Sequence, residues 1–202
     1  FGHEGSYAGG WHLHEALDKR ASAGKPVPVV VAIPHGGPAR IDELSPWKTG
    51  RTGGRGDAFL DWVSGPLVRM VEADVRVQPG PAGRLIAGSS LGGLMALYGF
   101  FRHPDVFGGA LAMSPSLWVG NGALQRFVSQ QGLPWTRRVY LDSGGRESRG
   151  HALRQAEQFA GQLAAKGFVA DHDLMWRPDK GGSHNELAWR RRLPKALKFL
   201  YG

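Results

Sequence analysis

The sequence contains no cysteine among its 202 residues. Disulfide bonds and thiolate metal sites are therefore excluded. The absence of cysteine does not indicate whether the protein works in a reducing or an oxidising compartment. Long apolar runs are also missing, because no stretch approaches the roughly 20 residues that a membrane-spanning helix needs. We expect a soluble protein without a membrane span, and the sequence does not decide between the cytoplasm and secretion.

Acidic residues are the scarcer charged class. Asp and Glu together number 17, against 25 Lys and Arg, which leaves a formal net charge of +8. Such an excess of positive charge is typical of proteins that bind nucleic acid, an anionic surface or an acidic substrate. The arginines are spread along the chain, however, and the one tight run, 190–192, falls on a helix with an apolar stripe. We interpret this run as a solvated basic face and expect no specific nucleic-acid partner.

Metal-ligand spacings and phosphate-binding loops are missing as well, so the sequence predicts no metal and no cofactor. What is present is enough apolar material for one core: hydrophobic residues make up 42% of the chain, with seven Trp and nine Phe. A chain of this length and composition is expected to form a single domain over residues 1–202.

Apolar runs rich in β-branched residues alternate with helical patterns along the chain. This alternation predicts an α/β fold with a mostly parallel central sheet and helices on both faces. Strands are predicted at 28–33, 109–113, 138–141 and 168–175, and helices at 11–21, 58–73, 91–102, 151–166 and 185–200. Pro66 predicts a kink in the second helix, and the glycine- and proline-rich segment 34–56 predicts a long functional or mobile loop.

A Gly-Ser-Ser-Leu-Gly stretch at 88–92 stands between a further buried strand and a helical pattern. Gly-x-Ser-x-Gly in this context indicates a nucleophile elbow, in which Ser90 occupies a strained turn with its hydroxyl above the sheet. Gly88 and Gly92 are expected because the backbone there turns too sharply for side chains, and Gly93 because the helix packs closely on the sheet. The alternative is a flexible turn in which serine caps the helix.

Two later segments complete a catalytic pattern. An acidic loop at 141–147 follows a strand, and Gly-Gly-Ser-His-Asn-Glu at 181–186 contains His184. Serine, then acid, then histidine is the chain order of the α/β-hydrolase triad. A serine hydroxyl needs an imidazole to take its proton and a carboxylate to orient that imidazole. The alternative for His184 is a cap of the last helix.

The assembled motifs resemble those of the putative esterases, a group of α/β hydrolases that includes esterase D-like, enterochelin esterase-like and feruloyl esterase-like proteins and the antigen 85 mycolyltransferases. The resemblance covers nearly the whole chain. The stretches that carry it are Ala-Gly-Gly-Trp at 8–11, Asp-Glu-Leu-Ser-Pro-Trp at 42–47, Ala-Gly-Ser-Ser-Leu-Gly-Gly at 87–93, His-Pro-Asp-Val-Phe-Gly at 103–108, Ser-Pro-Ser-Leu-Trp at 114–118 and Gly-Ser-His-Asn-Glu at 182–186.

Carried over residue by residue, the resemblance implies Ser90 as nucleophile and His184 as catalytic histidine. It implies Glu147 as the acid, with Asp142 as the other candidate; Asp142 ends a strand, whereas Glu147 lies in a loop that can reach His184. The amide of Leu91, next after the nucleophile, is the expected oxyanion donor. Trp118, Trp47 and Ser89 are expected in the substrate pocket, although the tryptophans equally suit plain packing.

In this family the Ala-Gly-Gly-Trp stretch follows a strand and a loop that donates the second oxyanion amide. Phe1 begins just after that point. The resemblance therefore implies a sheet edge without its neighbours, filled by a partner chain or left exposed, with weak activity and a tendency to associate. A homo-oligomer, in which a second copy covers this edge, is compatible with the expectation.

The leading functional hypothesis is hydrolysis of a small-molecule carboxylic ester through an acyl-enzyme on Ser90. An acyltransferase with the same triad is the second hypothesis, because an alcohol would replace water in the final step. The third, from another class, is a catalytically weak basic module that binds polyanions.

Overall fold

The computed structural model describes residues 10–202 and arranges them around a four-stranded parallel sheet in the order β1-β2-β3-β4. The strands are β1 (Leu85–Ser89), β2 (Gly109–Met113), β3 (Val139–Gly144) and β4 (Leu174–Asp179). The helices are α1 (Leu13–Ser22), α2 (Arg40–Glu43), α3 (Gly56–Trp62), α4 (Val68–Asp74), α5 (Leu91–Arg102), α6 (Ala123–Gln130), α7 (His151–Lys166) and α8 (Glu186–Tyr201). Helices cover both faces of the sheet, so the predicted α/β class is confirmed. None of these helices is both long and apolar enough to cross a bilayer.

The central strands bury both of their faces. Ala110 and Ala112 of β2 belong to a core that α5, α6 and α7 cover. Leu111 and Met113, between and after them, pack with Tyr140 in a second core beneath α1 and α8. Because successive residues of a strand point to opposite faces, a strand covered on both sides is apolar throughout.

The predicted buried strand at 28–33 is wrong. This segment has no regular secondary structure, and the side chains of Val29, Val30 and Val31 are 54%, 40% and 44% exposed. A strand needs a neighbour for its backbone hydrogen bonds. Among residues 10–202, no strand pairs with this segment, so its backbone lacks the hydrogen bonds that a sheet would supply.

The predicted helix at 58–73 is kinked at the expected place. α3 and α4 are joined by a π-helical turn over Val63–Leu67, and Pro66 lies inside that turn. Proline has no amide to donate and its ring clashes with the preceding turn, so a wider turn accommodates it.

The predicted strand at 168–175 starts too early. α7 ends at Lys166 with Gly167 at φ 109°, and a tight turn follows in which the amide of Val169 donates to Asp173 Oδ1. This turn delays β4 until Leu174, and the strand then runs on to Asp179.

The carboxyl ends of all four strands lie along one edge of the sheet. The register pairs Ser89 with Met113, Met113 with Asp142, and Gly144 with Asp179. Open parallel sheets bind ligands at this edge. The loops that leave it carry Ser90, Glu147 and His184.

Candidate active site

Ser90 occupies the sharp turn between β1 and α5. Its φ and ψ are 57° and −121°, a conformation that a non-glycine residue adopts only when its surroundings enforce it. The amide of Ser90 donates to the carbonyl of Met113 at 3.0 Å, and the amide of Ser116 donates to the carbonyl of Ser90 at 3.0 Å. The loop after β2 therefore holds the strained turn in place.

The glycines of the elbow have different physical reasons. A Cβ on Gly88 would overlap the backbone of Gly92, and one on Gly93 would lie 3.2 Å from the carbonyl oxygen of Met113. A Cβ on Gly92 would meet nothing within 4 Å. The expectation that Gly92 must lack a side chain for steric reasons is therefore wrong, whereas it holds for Gly88 and, less severely, for Gly93.

Glu147 and His184 are brought together by the loops that follow β3 and β4. His184 Nδ1 lies 3.0 Å from Glu147 Oε2, and the amide of Gly144 donates to Glu147 Oε1 at 2.7 Å. Glu147 is buried. Burial raises the pKa of this carboxyl, but hydrogen bonds from His184, Ser114 and the Gly144 amide outweigh it and hold the pKa below its usual range.

The His184 ring is fixed from the adjoining helix. It packs edge-on against Trp189, with ring centroids 5.0 Å apart and planes at 81°. α8 begins directly after it, where Asn185 Oδ1 accepts from the amide of Ala188 at 3.0 Å as the N-cap. The alternative that His184 itself caps the helix is therefore wrong, because Asn185 does so.

Asp142, the other candidate for the acid, faces different partners. Its carboxylate accepts hydrogen bonds from the amide of Ser114 at 3.0 Å and from Tyr140 Oη at 3.1 Å, and it lies 3.3 Å from Arg192 Nε. Burial raises the pKa of Asp142 to about 7. The structure places this side chain against Arg192 and brings Glu147, instead, to His184.

Ser90 Oγ lies 3.4 Å from Ser116 Oγ. Among the described residues, hydrogen bonds join His184 to Glu147 but do not join His184 to Ser90. Contacts of this kind are often long in enzymes without substrate and tighten in the Michaelis complex. Leu91, the first residue of α5, presents one of the initial amides that have no acceptor within their own helix.

Comparison with known proteins gives this arrangement a family. A family model described as Putative esterase matches residues 3–200. The chain belongs to the Putative esterase family. It is 30% identical to Uncharacterized protein YbbA of Bacillus subtilis (strain 168) over 176 residues, which are 81% of this chain and 70% of that protein. It is 32% identical to Iron(III) enterobactin esterase of Escherichia coli (strain K12) over 124 residues, 56% of this chain and 28% of that protein.

Solved esterase structures share the fold. The enterobactin esterase of Shigella flexneri superposes with a TM-score of 0.61 at 27% identity, over 72% of this chain and 38% of its own. BES protein from Bacillus cereus superposes with a TM-score of 0.71 at 20% identity, over 94% and 78%. The chain spans less than two fifths of the enterobactin esterases that it matches. Family and relatives together support a carboxylic ester hydrolase.

The residues expected in the substrate pocket lie in unlike surroundings. Trp47 packs edge-on against Tyr98, with centroids 5.0 Å apart, and also near Phe127, which agrees with its packing alternative. Trp118 is 55% exposed after β2, and Ser89 ends β1 beside the nucleophile. The prediction about a second oxyanion amide concerns the start of the chain, where residues 1–9 lie outside the described residues.

The interpretation of 190–192 as a solvated basic face is wrong for Arg192. Its side chain is 8% exposed, and Nη2 donates to Ser114 Oγ at 3.0 Å. Trp189 Nε1 donates to the same oxygen, also at 3.0 Å. Helical spacing contains the signal that was missed, because position 192 lies three residues after the buried Trp189 and on the same face.

One group of side chains has the composition of a metal site. Donor atoms of His12, His14 and Glu15 lie within 4.8 Å of one another at the start of α1. Two of these side chains bond to each other, because His12 Nδ1 lies 2.6 Å from Glu15 Oε1, and Arg190 donates to Glu15 Oε2 at 2.8 Å. The ring of His14 stacks on that of His12.

Proposed function

We propose that this chain is a serine esterase in which Ser90 forms an acyl-enzyme, His184 acts as general base and acid, and Glu147 orients His184. The observation that carries the proposal is the hydrogen bond between His184 Nδ1 and the buried Glu147 at the sheet edge where Ser90 occupies its strained turn. The Ser114 to Ser116 loop contacts both Ser90 and Glu147 and so ties the two halves of the site together.

The hydrogen bonds of Glu147 and His184 determine which of their atoms can act in the reaction. Glu147 remains a carboxylate because its pKa lies low, so it accepts a hydrogen bond from Nδ1–H of His184 and leaves Nε2 free as a base. Nε2 takes the Ser90 proton as Oγ attacks the ester carbonyl. The amide of Leu91 donates to the oxyanion that develops. His184 then returns the proton to the departing alcohol, and the acyl group stays on Ser90.

Water completes the reaction in an esterase by attacking the acyl-enzyme with His184 as base again. An acceptor alcohol would take that place in an acyltransferase. We propose hydrolysis, because the relatives with a named activity are esterases. Product analysis after turnover with added glycerol distinguishes the two, since hydrolysis yields the free acid and transfer yields a glyceryl ester.

Turnover of p-nitrophenyl acetate tests the proposal. We expect Ser90→Ala and His184→Ala each to lose nearly all activity, because triad residues act as a unit. Ser129→Ala is the matched control, since Ser129 is an exposed serine on α6 whose hydroxyl only bonds the carbonyl of Arg126. Near wild-type turnover in folded Ser90→Ala protein would overturn the proposal.

A siderophore-type ester is the first substrate class to try. The E. coli and Shigella relatives are enterobactin esterases, and the excess of cationic residues in this chain favours an anionic substrate. We expect ferric enterobactin to be cleaved with a kcat/KM that exceeds the value for an uncharged aryl acetate and that falls as salt is added. Equal, salt-insensitive values would refute this assignment and leave the general esterase proposal standing.

A further inference from the structure

Ser114, directly after β2, is a hydrogen-bonding centre behind the candidate triad. It has a left-handed φ of 44°, unusual for a residue other than glycine, and is buried. Its Oγ lies 2.6 Å from Glu147 Oε1, 3.0 Å from Trp189 Nε1 and 3.0 Å from Arg192 Nη2.

The three neighbours of Ser114 Oγ fix the direction of its single proton. An indole N–H and a guanidinium are donors only, so Trp189 and Arg192 occupy the two acceptor positions of the hydroxyl. The hydroxyl hydrogen is then left with one acceptor, Glu147 Oε1. This oxygen also accepts from the amide of Gly144 at 2.7 Å. Oε1 thus has two donors, and Oε2 is the oxygen that faces His184.

Arg192 supplies the charge of this arrangement. Its guanidinium lies between two buried carboxylates, with Nε 3.3 Å from Asp142 Oδ2 and Nη2 3.8 Å from Glu147 Oε1. Burying two anions without a cation would destabilise the folded protein, and one of the two carboxylates would become protonated. Asp142 in turn holds Arg192 and accepts from the amide of Ser114.

We propose that Ser114 and Arg192 are positioning residues of the esterase. The Ser114 hydroxyl links the buried guanidinium of Arg192 to Glu147 through a relay of two hydrogen bonds, and it directs Oε2 of that carboxylate at His184. This inference rests on the proposed function. Neither residue reacts with substrate. They act by keeping Glu147 ionised and by directing its Oε2 at the imidazole of His184.

Ser114→Gly is the sharpest test of the relay. Glycine accepts the left-handed φ of this position without strain, so the backbone is kept while the hydroxyl is removed. We expect kcat to fall on the order of tenfold to a hundredfold with little change in KM, because only the orientation of the base is lost. Ser114→Ala should show the same loss of kcat. Wild-type kcat in folded Ser114→Gly protein would overturn the proposal.

The pH profile tests Arg192 separately. Arg192→Met removes the cation beside Glu147, so protonation within the site is opposed by one positive charge fewer, and the acidic limb of kcat/KM should move to higher pH. Arg191→Met is the control, since it removes the same charge from an exposed neighbour. If Arg192→Met does not fold, Asp142→Asn with Arg192→Met avoids leaving a buried carboxylate without its partner. Because Asp142 is largely protonated below about pH 7, the double variant is expected to show the same shift of the acidic limb. An unchanged profile in the folded variant would contradict the proposal.

Glu147→Gln separates failure of this inference from failure of the proposed function. Loss of activity in Glu147→Gln with wild-type behaviour of the Ser114 and Arg192 variants would refute the relay and keep the triad. Full activity in Glu147→Gln would refute the triad, and the relay with it.

Discussion

Two buried carboxylates, one within β3 and one in the loop that follows it, differ in their tendency to ionise. Glu147 accepts hydrogen bonds from Ser114, His184 and Gly144, and its pKa is lowered. Asp142 is completely buried, and burial raises its pKa to about 7 despite the nearby Arg192. The lowered pKa suits Glu147 for stabilising an imidazolium by charge and hydrogen bonding, whereas Asp142 has a structural role.

Asp142 should make stability depend on pH in a defined direction. An unfolded aspartate titrates near pH 4, whereas the folded group holds its proton up to about pH 7. Its stabilising contribution is thus fully present below about pH 4 and lost as pH rises through about 7. In urea unfolding, we expect the wild type to lose roughly 2–4 kcal/mol relative to Asp142→Asn between these limits. Parallel pH curves for the two proteins would contradict this.

Single residues differ in how far the sequence reveals them. Ser90 belongs to a local motif, and His184 lies at the expected place after the last strand, so both were predictable as candidates. For Arg192, helical spacing after the buried Trp189 indicates that the side chain faces the core. Its contact with Ser114 was not predictable, because it joins a helix to a loop 78 residues away in the sequence.

At the scale of elements, the turn from β1 into α5 concentrates the constraints. Gly88 cannot carry a Cβ because the backbone of Gly92 fills that space, while Gly92 itself faces open space. The two glycines of the Gly-x-Ser-x-Gly pattern therefore have unequal steric importance in this chain.

Alanine substitutions at these two glycines should separate the effects. We expect Gly88→Ala to lower the free energy of unfolding by roughly 2–4 kcal/mol, since the turn must open to relieve the overlap. Gly92→Ala lies inside α5 and should be neutral or stabilising by up to about 1 kcal/mol, because alanine favours a helix. Thermal or urea denaturation of both variants measures this. Equal destabilisation would show that the steric account is wrong.

Element boundaries were predictable where local signals coincide. The predicted bounds of α5, β2 and α7 match the structure to the residue, since a glycine or proline follows each apolar pattern within a few positions. Segment 28–33 has an equally strong strand pattern but no neighbour among residues 10–202. Strand formation depends on pairing, which the segment's own residues do not encode.

On the scale of the whole molecule, burial across the sheet is uneven. All residues of β2 and β3 are buried, whereas β1 at the edge is only half-buried and the valines at 29–31 are exposed. Hydrogen exchange should reproduce this gradient. We expect the amides of β2 and β3 to exchange slowest, those of β1 faster, and those of 28–33 close to unprotected rates. Protection of 28–33 equal to that of β3 would show that this segment forms a strand in solution.

The acyl-enzyme on Ser90 is the central claim, and covalent labelling measures it most directly. Intact protein is treated with a fluorophosphonate, digested, and the modified peptide located by mass spectrometry. We predict one adduct per chain, on Ser90, formed much more slowly in His184→Ala and Glu147→Gln, and absent in Ser90→Ala. Labelling at another residue, or equally fast labelling of Ser90 without His184, would contradict the mechanism.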